Sequence, residues 1–267
     1  MKRTVSFIFL ILFALYSHAG EGEQVLFKAH YIATLKKYDD EKNHKTEEMI
    51  LEVGRQQSKF YSRFKAERQH IIDSLNAIGA STNEVLSAIG KIPTPKSSYY
   101  VWRNIPKKDT LIFADHIFKR FYYEEPIERQ AWKVIDKDSI ILGYNCQKAV
   151  CKWRGRTWEA WFTSQIPSDA GPWKLCGLPG LIVFASDESG TFAFEMIELK
   201  KGNGEKITLP DLNKYIKCTR EEFMKEVKEA ANDPIAYEKR YGLPGKAWGP
   251  DGKPLKYKAR TPVFLDK

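Results

Sequence analysis

A twelve-residue segment, GPWKLCGLPGLI at positions 171–182, restricts the backbone of this chain more than any other stretch. Its two prolines each fix φ at about −65°, and its three glycines permit backbone angles or close contacts that a Cβ would prevent. It ends in the apolar run LIVF at positions 181–184. We therefore expect a stiff, tightly turned connection that leads into a buried strand. The residues that define this motif are Gly171, Pro172, Trp173, Gly177, Leu178, Pro179, Gly180, Leu181 and Ile182.

Two interpretations of the motif remain open. In the structural one, the segment is a corner that locks two layers of the sheet together. In the functional one, it is a rigid loop at the mouth of a cavity and presents Trp173 and Leu178 to a ligand. The sequence favours the corner but does not exclude the ligand loop.

Several short motifs follow one another in order along the chain. They are Gly143-Tyr144, Cys146, Lys148-Ala149, RGR at 154–156, AWFT at 160–163, Ile166-Pro167 and the twelve-residue motif. This string resembles the GLPGLI family of Bacteroidota cell-envelope proteins, and SKFYS at 58–62 resembles the amino-terminal half of that family. The resemblance is densest between residues 135 and 182. It implies an exported envelope protein but no particular reaction, because the family has no established biochemical role.

Residues 1–19 have the features of a cleaved signal peptide. Two basic residues precede an apolar run at 5–16, and the small residues Ser17 and Ala19 favour cleavage after Ala19. At roughly 12 residues, the run is too short to cross a hydrocarbon core about 30 Å thick. No cysteine lies beside the cleavage site, which disfavours a lipid anchor. We expect an exported protein of the periplasm or the cell exterior, and not an integral membrane protein.

Residues 20–241 are predicted to form a single α+β domain. Period-two alternation, as at 24–37, indicates strands, and most predicted strands are joined by short connections that favour antiparallel pairing. Between about 65 and 90, apolar residues recur at helical spacing, which predicts a helical insertion. Thr219 and Glu222 form a capping-box pattern that opens a later helix.

The predicted fold is a curved antiparallel sheet, or a partly open barrel-like sheet, with helices packed across one opening. The final stretch, 242–267, is rich in Gly, Pro and Lys and is predicted to be an irregular basic tail.

The four cysteines, Cys146, Cys151, Cys176 and Cys218, would meet an oxidising compartment after export, so disulfides are expected. On one uninterrupted strand, Cys146 and Cys151 would lie about 16 Å apart, beyond the ~7 Å limit for a bridge. Two pairings then remain: 146–176 with 151–218, or 146–218 with 151–176. The sequence does not decide between them.

No pattern supplies a recognisable catalytic or metal site. Cys176 precedes a glycine that would be able to donate an oxyanion N–H, but a thiol nucleophile also needs a base, and no histidine lies in a recognisable motif. The pairs Asp115-His116 and Glu124-Glu125 flank a predicted strand, where charged residues are usually solvated. Motifs of zinc proteases, serine hydrolases, P-loops and dinucleotide sites are absent. We predict no cofactor and no metal, and a binding protein rather than an enzyme, with an exported hydrolase as the alternative.

Charge and aromatic content indicate the kind of partner. The formal net charge of +9 biases an exported protein toward anionic partners. The cluster Trp153, Trp158, Trp161, Phe162 and Trp173 places large rings on both faces of a strand. Either helices cover the second face, or that face lines an apolar groove. We expect a hydrophobic or anionic envelope ligand, or an outer-membrane protein partner, and no nucleic acid.

Overall fold

The computed structural model of the protein describes residues 22–242, 253 and 258–266. The predicted signal peptide, residues 1–19, lies outside the described residues, as does much of the predicted tail. Within the described ranges, no helix has the length and apolar character needed to span a bilayer.

One open sheet of twelve strands dominates the described residues. The strands are β1 (Phe27–Leu35), β2 (Lys45–Val53), β3 (Ser58–Ser62), β4 (Tyr100–Arg103), β5 (Thr110–Ile117), β6 (Lys119–Pro126), β7 (Lys133–Ile141), β8 (Tyr144–Trp153), β9 (Arg156–Thr163), β10 (Leu181–Asp187), β11 (Ala193–Lys201) and β12 (Ile216–Lys217). Their order across the sheet is β12-β6-β5-β4-β3-β2-β1-β11-β10-β9-β8-β7. Neighbours are antiparallel except for β12, which pairs with β6 in parallel.

The helices in the described part of the chain are short. They are α1 (Arg63–Ala77), α2 (Thr82–Gly90), α3 (Arg220–Asn232) and α4 (Pro234–Arg240), with a 3₁₀ turn at Leu212–Lys214. The predicted α+β class is therefore wrong, because the fold is an open, mixed sheet rather than an antiparallel or barrel-like sheet balanced by helices. The physical reason is that the strands contain about twice as many residues as the α-helices, and that α1 and α2 bury no residue. The hydrophobic core thus belongs to the sheet.

The individual helix predictions are confirmed. The insertion predicted between about 65 and 90 is the α1–α2 pair, and α2 begins with a capping box between Ser81 and Glu84. The predicted capping box of Thr219 and Glu222 opens α3. Helix α3 buries Phe223 against the sheet and so forms a wall above β5 and β6.

Two tight turns shape the region around the motif. Leu142 and Gly143 have φ values of +50° and +81°, and Arg154 and Gly155 have +46° and +69°. Positive φ at both central residues is typical of the type I′ turn that joins two-residue hairpins. The first turn interrupts the stretch 139–153 and divides it between β7 and β8, so the two cysteines of β8 follow a turn within what otherwise reads as one continuous strand. The second turn places Arg154 at the tip of the β8–β9 hairpin.

Alternating side chains give the sheet two apolar faces. The larger core lies on what we call the inner face, where Tyr31, Phe60, Phe113 and Trp158 are buried. The opposite face carries a smaller core that includes Trp102. The motif segment and α3 lie over the inner face, which creates the space described next.

Candidate functional site

A cavity of about 680 Å³ lies between the inner face of the sheet, helix α3 and residues 258–266, which we call the strap. This volume is within the range of about 300–1,000 Å³ that is common for small-molecule sites. The sheet forms its floor, α3 forms one wall, and the strap forms another.

The middle of the cavity is apolar. Phe113 packs its ring 5.7 Å from Tyr99, 5.0 Å from Tyr123 and 5.3 Å from Phe223, measured between ring centroids. Further apolar lining comes from Met224, Val227 and Ala230 of α3 and from Val263 and Leu265 of the strap. Walls of this kind suit the apolar body of a ligand, because burying it removes apolar surface from water.

One end of the cavity is polar, and the charges that act on Tyr99 there are the carboxylates of Asp115, Glu47 and Asp266. Ser97 and Tyr99 are each 7% exposed, and their neighbouring hydroxyls make no hydrogen bond of normal geometry with the described residues. Burial raises the pKa of Tyr99, so its hydroxyl remains a neutral donor. Lys36, Lys37 and Lys96 also line the cavity, and no ion pair joins them to any residue in the described ranges.

These groups meet because of the sheet topology. Strands β1 to β5 alternate in direction, so the end of β1, the start of β4 and the end of β5 lie at the same edge of the sheet. Asp115 and His116, a pair noted in the sequence, are the polar residues that β5 contributes there. Asp115 accepts hydrogen bonds from the Ser98 hydroxyl and from the His116 backbone N–H.

The strap is held along the cavity by backbone and side-chain contacts. The backbone N–H of Val263 donates to the carbonyl of Lys37 at 2.9 Å, and the N–H of Arg260 donates to the carbonyl of Ala231 at 3.0 Å. The Arg260 guanidinium pairs with Asp40 at 2.7 Å. The strap therefore bridges the end of β1 and the end of α3.

Beside the cavity, Lys174 of the motif lies in a buried ion cluster that includes Asp266 of the cavity wall. Its side chain is 1% exposed, and Nζ donates to the Tyr123 hydroxyl at 2.9 Å and to Glu125 and Asp266 at 2.7 Å each. Arg154 contacts the same two carboxylates, at 3.0 Å to Glu125 and 2.6 Å to Asp266. Burial alone would raise the pKa of Asp266, but Lys174 and Arg154 outweigh it and hold that pKa below its usual value. The cluster ties the strap to the motif.

The second arginine of the RGR motif also binds the strap. The Arg156 guanidinium pairs with Asp187 at 2.7 Å and donates to the backbone carbonyls of Phe264 and Leu265. Both ends of RGR thus contact a segment more than one hundred residues later in the chain.

The twelve-residue motif turns sharply across the inner face. Trp173 has φ of +54°, and the N–H of Leu175 donates to the carbonyl of Pro172 at 3.1 Å, which closes a turn. A Cβ on Gly180 would lie only 2.1 Å from the Thr163 carbonyl oxygen. Of the predicted motif residues, Gly177 is half-buried, Pro179 is exposed, and the others are buried: Gly171, Pro172, Trp173, Leu178, Gly180, Leu181 and Ile182.

The two residues that the ligand-loop interpretation singled out line different cavities. Trp173 reaches the 680 Å³ cavity. Leu178 lines a second cavity of about 350 Å³, formed by the motif, the β2–β3 turn and the end of β4. Arg103 also lines this second cavity; its side chain is 5% exposed, and its Nε has no hydrogen-bond partner in the described part of the chain.

The predicted disulfides are not present, because all four cysteines are free. Cys146 and Cys151 both lie on β8 and are buried without a bond to each other. Cys176 lies in the motif and Cys218 follows β12 at the far edge of the sheet, and neither is bonded to another cysteine. Burial raises the pKa of all four thiols, that of Cys151 to about 12 and that of Cys218 to about 11, which opposes formation of a nucleophilic thiolate.

The tryptophan cluster divides between the two faces of β9. Trp158 and Phe162 point to the inner face and are covered, and the Trp173 ring lies 5.8 Å from Trp158 and 5.4 Å from Trp153. Trp161 is half-buried on the other face, beneath Lys148. The cover on the inner face is the motif segment rather than a helix.

Sequence reasoning missed the residues that most define the main cavity. Ser97 and Tyr99 stand at a strand start with no motif, and Asp266 meets Lys174 across 92 residues of chain. Of the glutamate pair, Glu125 joins the buried cluster, whereas Glu124 pairs with exposed Lys217.

Within the described residues, no group of three or more His, Cys, Asp or Glu is arranged to hold a metal ion.

Comparison with known proteins gives a match of one segment to a family model and a similarity of fold. A family model described as "Protein of unknown function (Porph_ging)" matches residues 151–183, which include RGR, Lys174 and the motif. Two solved structures of PNGF-II, in P21 and C2 space groups, are similar to the chain at 14% identity, with a TM-score of 0.51 over 78% of this chain. The chain spans about a third of the length of those proteins, 34% and 33%. At this identity the likeness concerns the fold alone, and a search of curated proteins gives no match.

Proposed function

We propose that this chain is an exported cell-envelope protein of the GLPGLI family, and that it binds an elongated apolar molecule with an anionic head group in the cavity beneath α3. One observation carries the proposal: an apolar cavity of about 680 Å³ is lined by two neighbouring buried hydroxyls that lack a well-formed hydrogen bond, and also by Lys36, Lys37 and Lys96. The family match at residues 151–183 supports the assignment, because it includes the GLPGLI hexapeptide.

The apolar middle supplies affinity without chemical selectivity. Each CH₂ group transferred from water into such walls contributes about 0.8 kcal/mol. Phe113 and Phe223 offer the aromatic surface, and Val227 and Ala230 of α3 offer the aliphatic surface. An alkyl chain or another elongated apolar body fits this description.

The polar end selects the head group. Buried hydroxyls in proteins almost always have a partner, so Ser97 and Tyr99 are suited to donate to an acceptor on the ligand. Lys36, Lys37 and Lys96 add positive charge to the cavity wall. A carboxylate satisfies both requirements, whereas a neutral alcohol or a cationic amine does not.

The motif has a structural part in this proposal. It places Lys174 where it binds Asp266 of the strap, and it covers the tryptophan cluster on the inner face. In this account the corner and the ligand loop are compatible, because one turn supports the wall of the cavity and also contributes Trp173 to its lining. The export part of the proposal is tested by amino-terminal sequencing of the mature protein, which should begin at Gly20.

The binding proposal is tested with a pair of ligands and a pair of variants. Decanoate and decanol share an alkyl chain but differ in head-group charge, and competition with a fluorescent fatty acid measures the affinity of each. We expect decanoate to bind about tenfold or more tightly, because only its head group pairs with the lysines.

Ala230→Trp places a large ring from α3 into the cavity and should abolish binding, whereas Lys225→Trp adds the same ring at an exposed position of the same helix and should not. Equal binding by the two variants, or by the two ligands, would contradict the proposal. No observation in the described residues favours the hydrolase alternative, so we do not propose it.

A further inference from the structure

The second cavity is independent of the first. It lies at the opposite end of β4, where this strand ends at Arg103, and shares no lining residue with the cavity beneath α3. Its wall includes Leu178, Pro179 and Gly180, the central residues of the motif. Its volume of about 350 Å³ is large enough for a small molecule.

Arg103 is the buried charged side chain in this wall, and it lacks a full set of hydrogen-bond partners. Its side chain is 5% exposed, and Nε has no hydrogen-bond partner among the described residues. The nearest carboxylate oxygen, Oδ2 of Asp169, is 3.7 Å from Nη2, too far for a hydrogen bond. Asp169 is closer to the exposed Arg129, at 3.0 Å. A buried guanidinium with an unpaired donor is rare in proteins and marks a place where another acceptor is expected.

About half of the remaining lining is polar, and its charged side chains are Arg55 and Asp169. The neutral side chains that can donate and accept hydrogen bonds are Gln56, Gln57, Ser58 and Ser168. The Nε edge of a guanidinium matches the two oxygens of a carboxylate, and neutral amides and hydroxyls match the hydroxyls of the same ligand. This combination differs from the apolar walls of the first cavity.

We propose that the second cavity is a binding site for a small carboxylate that carries hydroxyl groups, such as a sugar acid, and that Arg103 binds its carboxylate. Leu178, Pro179 and Gly180 supply the rigid side of the site. Asp169 is the internal counter-ion, and a bound carboxylate competes with it for Arg103.

The probes that test this site are glucuronate, glucose and sulfate. Glucuronate and glucose differ only in a carboxylate in place of a CH₂OH group, and sulfate is an oxyanion without hydroxyls. Ligand-observed NMR on the full chain gives the dissociation constants. We expect glucuronate to bind about tenfold or more tightly than either of the others, since only it uses both Arg103 and the neutral side chains. Sulfate that binds as tightly as glucuronate would overturn the assignment, and so would the absence of glucuronate binding.

Three variants identify the residues responsible. Arg103→Gln should lower the affinity for glucuronate about tenfold or more. The matched control is Arg129→Gln, which removes an arginine that contacts the same Asp169 but does not line the cavity; it should change the affinity for glucuronate less than about threefold. Asp169→Asn should raise the affinity for glucuronate several-fold, because it removes the carboxylate that competes for Arg103. This gain of affinity keeps the proposal testable even if Arg103→Gln fails to fold, and unchanged or weaker binding by Asp169→Asn would refute it.

Discussion

Replacing Gly180 by alanine tests whether the motif is a corner that depends on close backbone contact. An added Cβ would lie 2.1 Å from the carbonyl oxygen of Thr163, 2.5 Å from its carbonyl carbon and 2.8 Å from the Ser164 nitrogen. These are backbone atoms at the end of β9, so the two segments must separate by roughly 1 Å to restore normal contact. That movement also weakens the adjacent hydrogen bond from the Leu181 N–H to the Ile166 carbonyl, 3.1 Å long. We expect a loss of about 3 kcal/mol or more in the free energy of unfolding.

Gly190 provides the matched control. It lies in the β10–β11 turn and also has positive φ, +66°, but a Cβ added there would have no atom within 4 Å. Gly190→Ala should therefore cost only about 1 kcal/mol, the penalty for placing alanine in the left-handed region.

For a chain of this size about 1 kcal/mol lowers Tm by roughly 2–4 °C, so thermal unfolding followed by circular dichroism should show losses of roughly 6–12 °C for Gly180→Ala and 2–4 °C for Gly190→Ala. Equal Tm values for the two variants would refute the close-contact explanation.

Three further predictions concern the contacts of the motif, the strap and the cysteines. Tyr31→Phe removes the hydrogen bond from the Tyr31 hydroxyl to the Ile182 carbonyl, 2.7 Å long, and should cost about 1–2 kcal/mol in urea unfolding; an unchanged midpoint would show that this bond contributes nothing. Asp266→Asn should destabilise the protein by about 3 kcal/mol at pH 7, because it breaks a buried ion cluster. The folded-state pKa of Asp266 is below its ordinary 3.8, so this contribution is present above that pH and is lost as the pH falls through the folded value; a difference from the parent protein that persists unchanged at pH 2 would contradict it. The three buried thiols, Cys146, Cys151 and Cys176, should react with a maleimide at pH 7 only after unfolding, because they are inaccessible and burial raises their pKa values; rapid labelling of these three in the native protein, or a disulfide-linked peptide in a non-reducing map, would contradict the free, buried state.

Local sequence patterns predicted individual elements better than their assembly. The capping box of Thr219 and Glu222 and the helical spacing between 65 and 90 predicted real helices, because both signals depend on residues within one or two turns. Strand pairing depends on partners far apart, and β1 lies between β2 and β11, which no period-two pattern specifies. The turn at Leu142 and Gly143 was missed for a different reason, since its flanks alternate as one continuous strand would.

The candidate sites show the same division between local and distant information. The motif was recognised because its glycines and prolines lie within one segment of twelve residues. The close approach of Gly180 to the Thr163 carbonyl explains why one of those positions is a glycine. The roles of Lys174 and Arg154 were not predicted, because their partner Asp266 lies in a distant and otherwise featureless segment. Tyr99 belongs to no recognisable motif, and nothing in the sequence distinguishes a buried hydroxyl without a partner from one that has a partner.

The central claim is that the cavity beneath α3 holds an apolar molecule with an anionic head group, and a crystal structure of the protein grown with decanoate tests it most directly. The account predicts density for the alkyl chain in the cavity, against Val227 and Ala230 of α3 and Val263 of the strap, with the carboxylate within hydrogen-bond distance of the Ser97 or Tyr99 hydroxyl. An empty cavity at saturating decanoate, or decanoate bound with its carboxylate directed away from Ser97 and Tyr99, would contradict it.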